Sequence, residues 1–146
     1  MMLKIGLAVA AGMCVASSLN AAVLDCTYKT NEKSFITDRY IFAYEAGDPA
    51  AAVIDGYIKY KAGKPLDAKL ETRGDKLVFS WKIPVKDMYN NIATMYYRNI
   101  IDPKTMTAKM TAMAAGVPGE AINFTASGKC EVIDEKTGKT KKSKTK

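Results

Sequence analysis

The segment AINFTASGKCEV, residues 121–132, changes side-chain character at every step. Ile122, Phe124, Ala126, Gly128, Cys130 and Val132 fall on one side, and Asn123, Thr125, Ser127, Lys129 and Glu131 on the other. A period of two marks a β-strand with one buried and one solvated face, because successive Cβ atoms point to opposite sides of the pleat. KLVFSWKI repeats it, with Leu77, Phe79, Trp81 and Ile83 set against Val78, Ser80 and Lys82. Pro84 is expected to end that ladder, since it has no N–H to give.

NIATMYYRNII, DPKT and MTAKMTAMA together read as a hairpin. Asp102-Pro103 supplies the first two positions of a type I turn, and Met106, Ala108, Met110 and Ala112 share a face of the second arm. VLDCTYKTN, FITDRYIFAYEA, AAVIDGYIKYK and AKLETR supply the earlier strands, and RGDK joins the last of these to the next. Gly47 with Pro49, Gly63 with Pro65, Gly74, and Gly116 with Pro118 and Gly119 punctuate the boundaries. Short links between consecutive strands favour antiparallel neighbours. The expected fold is all-β: an up-and-down antiparallel meander of about eight strands closed into a small barrel, because closure buries one face and removes exposed edges. A two-sheet β-sandwich also satisfies the alternation. So does an eight-stranded outer-membrane barrel turned inside out, against which stand the lysine-rich end, the modest strand lengths and a disulfide that would face lipid.

Three cysteines bear on that choice. Lys4, the apolar run from Ile5 to Ala16 and the small and polar residues after it have the form of a secretory signal peptide, residues 1–21. The run is shorter than the ~20 residues that cross a bilayer. Removing it takes Cys14 away and leaves Cys26 and Cys130, an even pair in an exported chain, which an oxidising compartment favours joining. The alternative is two separate buried thiols; a zinc site is poorer still in a chain without histidine. Cys26 lies in the first strand and Cys130 in the last, so their bond would bring the two ends of the meander together.

The formal charge is +7, from 22 basic and 15 acidic residues. Residues 136–146, KTGKTKKSKTK, hold six of the lysines and no acid; with Lys4 also set aside, residues 22–135 carry 15 of each sign. The excess belongs to the tail, and the argument for a nucleic-acid-binding fold goes with it. The tail has nothing apolar to bury and is expected to stay disordered, available for weak contact with an anionic envelope surface. Residues 22–135 then form one domain.

Without histidine there is no Ser-His or Cys-His nucleophile pair. No catalytic residue, metal site or cofactor-binding loop is indicated. Paired carboxylates need only Asp and Glu, so a carboxylate-dependent hydrolase remains a formal reading. A binding role suits the inventory better. The inward set includes Phe79, Trp81, Met106 and Met110, which would line a cavity for a small apolar ligand or simply fill the core. Tyr96 and Tyr97 are adjacent on a strand, so one must face outward; with Arg98 they are the candidate surface for a protein partner.

Cys26 near the start, FSWKI in the middle, MYYRNIIDP and the closing NFTASGKCEV give a frame that resembles the uncharacterised small periplasmic β-barrel proteins of Gram-negative bacteria. The resemblance implies a periplasmic or secreted location and carries no functional residue over. ASGK, residues 126–129, is similar to a motif of periplasmic lysozyme inhibitors, which implies a second reading as a protein inhibitor of a cell-wall-degrading enzyme. The leading expectation is a non-catalytic exported binding or envelope-associated module that does not span a membrane.

Overall fold

The computed structural model describes residues 21–32, 34–86, 89–115 and 123–133. Residues 1–20, the Gly116–Gly119 turn, Ile122 and the lysine tail lie outside the described residues. Eight strands run β1 (Ala21–Tyr28), β2 (Arg39–Glu45), β3 (Ala50–Asp55), β4 (Leu66–Arg73), β5 (Lys76–Lys86), β6 (Ile92–Asp102), β7 (Thr107–Ala115) and β8 (Asn123–Ile133). Each pairs antiparallel with the next, and β8 pairs with β1 to close the barrel. Apolar side chains turn inward and charged ones outward, the reverse of a lipid-facing barrel.

Closure is fixed where Cys26 and Cys130 stand directly opposite each other; their sulfurs are joined at 2.01 Å. The neighbouring pair shows how tightly the seam fits. Tyr28 stands opposite Gly128, and a Cβ on Gly128 would lie 2.3 Å from the Thr27 carbonyl oxygen and 2.7 Å from the Tyr28 ring. Only glycine lets that ring lie flat against β8.

Large and small side chains divide the interior between them. Tyr40 and Phe42 of β2 meet Trp81 and Phe79 of β5 across the lumen, with ring centroids 4.7–5.7 Å apart. Trp81 also stacks on Tyr97 of β6 at 5.2 Å, nearly parallel. On the far side β7 and β8 contribute the small residues Ala108, Ala112, Ala126 and Gly128 around a fully buried Met110. Such interdigitation fills a narrow barrel at the density of a protein interior.

In three places the chain departs from the period-two expectation. AAVIDGYIKYK is not one strand: β3 ends at Asp55, and Gly56–Ala62 form a short helix, α1. Asp55 Oδ1 caps it by accepting from the Ile58 N–H at 2.7 Å, and Gly63, at φ +67°, ends it by donating to the Lys59 carbonyl. Ile58 is the anchor, buried to 2 % exposure. Pro84 does not end β5, which continues to Lys86. β4 reaches β5 only between Lys76 and Ser80, so at Pro84 the strand pairs with β6 alone and an absent N–H costs no ladder bond on the open side. The Asp-Pro turn is wider than a tight β-turn: Met106 N–H donates to the Asp102 carbonyl at 2.7 Å, and Met106 takes the left-handed conformation at φ +56°.

The meander places the β1–β2 loop, α1 and the β5–β6 connection at one end. That end is shut. Ile36 and Ile58 are buried beneath it, Tyr97 Oη donates to the Phe35 carbonyl at 2.8 Å, and Thr37 N–H donates to Tyr40 Oη at 3.0 Å. Thr37 Oγ1 donates to the second oxygen of Asp55 at 2.7 Å, so this buried carboxylate is fully occupied by structural work.

Candidate functional site

Because the strands alternate, each contributes an outer row as strictly as an inner one. On β5 the outward residues include Ser80 and Lys82, on β6 Tyr96, Arg98 and Ile100, on β7 Lys109, Thr111 and Met113, and on β8 Ser127 and Lys129. Register then decides which of them are neighbours. Lys82 stands opposite Tyr96, Arg98 opposite both Ser80 and Thr111, Lys109 opposite Ile100 and Ser127, and Lys129 opposite Thr107. Passing from Lys82 to Arg98, to Lys109, to Lys129 therefore moves one strand across and two residues along at every step, always in the same sense. Diagonal neighbours of this kind have Cα atoms about 7–8 Å apart, so the four cations form an even line across four strands.

Two grooves lie along that line. One, of about 1180 Å³, includes Lys82, Tyr96, Arg98, Lys109 and Met113, and is bordered by Pro49 and Leu66. The other, of about 760 Å³, includes Lys29, Lys109, Ser127 and Lys129. They share Ile100 and Lys109 and so adjoin. Among the described residues no carboxylate forms an ion pair with any of the four cations. Each groove also carries one acid: Asp67 lines the first, and Asp102 lines the second, where it is held by Lys76 Nζ at 2.6 Å and by the Lys104 N–H at 2.9 Å. Those hydrogen bonds, the Lys76 one foremost, lower the Asp102 pKa and keep the carboxylate charged. Hydroxyls stand between the cations: Ser80 beside Arg98, Thr111 across from it, Ser127 across from Lys109 and Thr107 across from Lys129. Tyr96, nearly half exposed, and Met113 add an apolar edge at the Lys82 end.

The residues singled out from sequence separate in space. Tyr96 and Arg98 lie together on this outer wall, whereas Tyr97 points inward against Trp81. Phe79, Trp81 and Met110 belong to the packed core, and Met106 lies in the β6–β7 turn, where its carbonyl accepts from the Cys130 N–H at 2.8 Å. These four do not converge on a ligand cavity. Lys82, Lys109 and Lys129 were not singled out; their alternation was visible, but only the register of four strands puts them in line.

The interior also holds an unpartnered polar side chain. Asn99 is wholly buried between Phe79 and Met110, and neither its amide nitrogen nor its oxygen has a hydrogen-bond partner. Tyr28 approaches it, yet the Tyr28 hydroxyl is also without a partner at hydrogen-bond geometry. Burial raises the pKa of this phenol, the Asn99 amide opposing the rise only in part. A third groove, of about 320 Å³, lies at the closed end between Phe35, Thr37, Tyr57 and Val85. There α1 presents Tyr60, 81 % exposed, with Lys61 Nζ 5.6 Å from its ring centre.

No family model, curated protein or solved structure matches the chain.

Proposed function

We propose that this chain is a non-catalytic binding module, exported through residues 1–21, that works in the periplasm or outside the cell and takes its partner on the outer wall of β5 to β8. The observation that carries the reading is the line Lys82–Arg98–Lys109–Lys129, without a carboxylate partner among the described residues, running along two adjoining grooves, while aromatic side chains meet across the lumen and plugs close one end. Cations aligned without a carboxylate in ion-pair contact among the described residues favour an anionic partner. The Cys26–Cys130 bond supports an oxidising compartment. No helix among the described residues is long and apolar enough to cross a membrane.

Site-specific photocrosslinking in envelope extract tests the placement. A crosslinker at Tyr96 captures the partner and one at Ile41, on the outer face of β2, does not; the reverse pattern overturns the reading.

A second reading, inhibition of a cell-wall-degrading enzyme, draws on α1. Its capped, basic and aromatic tip, Tyr60 with Lys59 and Lys61, has the shape of a plug for an anionic cleft. It requires that the protein slow a muramidase and that Tyr60→Ala restore turnover. The carboxylate-hydrolase reading gains nothing from Asp55, both of whose oxygens are already engaged.

A further inference from the structure

Resting on the outer-wall reading above, we infer that the occupant of the two grooves is a linear acidic polysaccharide, a polymer that alternates carboxylate and hydroxyl groups along its length. Three features of the wall select it. The cations are evenly stepped, about 7–8 Å from one Cα to the next, so they meet a chain of repeated charge and not a single anion. Hydroxyls alternate with them: Ser80 beside Arg98, Thr111 between Arg98 and Lys109, and Ser127 between Lys109 and Lys129. The same pattern, cation then hydroxyl, is what a polyuronate presents in complement.

The third feature disfavours an acidic polypeptide. A closed barrel leaves no strand edge across the wall, so an extended peptide cannot add as a further strand through its backbone. The first groove is lined largely by apolar residues, Pro49, Leu66, Tyr96, Ile100 and Met113 among them, so sugar rings and a peptide helix are told apart by the polyglutamate arm of the test below. The asymmetry of the barrel also matters. On β1 to β4 the outward cations are spent on neighbouring acids: Arg39 on Asp25 at 2.8 Å, and Lys69 and Arg73 on Glu71 at 2.7 and 3.1 Å. An acidic polymer is therefore drawn to one side of the molecule.

The test titrates the full chain with polygalacturonate at low salt, with dextran as the uncharged control. The chain binds polygalacturonate and not dextran. Arg98→Gln with Lys109→Gln weakens binding about tenfold and flattens its salt dependence, whereas Arg39→Gln with Arg73→Gln, the same loss of charge on the other wall, changes it by less than about twofold. Arg98→Lys with Lys109→Arg retains binding, which separates a charge effect from a folding defect. Replacing the six lysines of residues 136–146 by glutamine leaves the tenfold wall effect in place. No binding of polygalacturonate, an equal loss from the two walls, or equal or tighter wall-dependent binding of polyglutamate overturns the inference. A wall that still crosslinks its partner from Tyr96 while ignoring polygalacturonate retains the binding-module reading and removes the polysaccharide.

Discussion

The two halves of the barrel wall use charge in opposite ways. On β1 to β4 the outward cations are tied to neighbouring acids: Arg39 to Asp25 in a two-pronged contact, and Lys69 and Arg73 to Glu71. Hydrogen bonds from Lys69 and Arg73 lower the Glu71 pKa, and the Asp25 contact raises that of Arg39. On β5 to β8 the line from Lys82 to Lys129 has no such partners among the described residues. Both halves rest on the same core, so packing does not require the difference. The first wall engages its cations with its own carboxylates; the second pairs Lys76 with Asp102 but leaves the line from Lys82 to Lys129 without a carboxylate partner among the described residues.

The sharpest way to break the contrast is to damage the shared core. Phe42, fully buried and in contact with the rings of Phe79 and Trp81, should cost about 3–5 kcal/mol as Phe42→Ala, a loss typical of large aromatic truncations. Denaturant melts will show it, and below the lowered melting temperature binding at the wall should be unchanged. Removing the seam by Cys26→Ser with Cys130→Ser should cost about 2–5 kcal/mol, since the bridge closes a ring of more than a hundred residues.

A smaller effect has the opposite sign. Asn99→Leu removes two unpartnered polar atoms from an apolar site and should stabilise the barrel by about 1–2 kcal/mol, again by denaturant melts. Loss of stability in that variant would mean that Asn99 is satisfied by a buried water that the substitution expels.

Alkali tests the interior without mutation. Burial raises the folded-state pKa of Tyr28, Tyr40 and Tyr97 above the ordinary value, so the unfolded chain gives up its phenolic protons first. The stability these residues contribute is fully present below about pH 10 and falls as pH rises beyond it. Tyrosinate absorbance from these three should therefore appear together with unfolding. The smallest effect is expected from Arg39→Gln, whose exposed ion pair should barely move the melting temperature.

Strand order, inner face and seam were legible in the sequence because each is written locally. Alternation around Phe79, Trp81, Met110 and Cys130 gives the inward set, and the positions of the two cysteines at the chain's ends tie the first strand to the last. The α1 helix is read from sequence as strand, because the alternation of Val53, Asp55 and Tyr57 outweighs the Asp55 cap and the Gly63 stop over so short a stretch. Pro84 misleads because its cost depends on whether β4 reaches that far, which is a fact of register. The cationic line was hidden for two reasons. The net charge of residues 22–135 is balanced, which conceals how the signs are sorted between walls. Its members also lie 11–20 residues apart in sequence and become neighbours only when three hairpin registers are fixed together.

The central claim is that recognition belongs to the outside of β5 to β8 and not to the lumen or the opposite wall. Amide chemical-shift mapping of the full chain during titration with polygalacturonate tests it most directly. The account predicts perturbations at Lys82, Tyr96, Arg98, Lys109 and Lys129, with Phe42, Phe79 and the Asp25–Arg39 side unmoved. Shifts concentrated on β1 and β2, or on the aromatic interior, would contradict it.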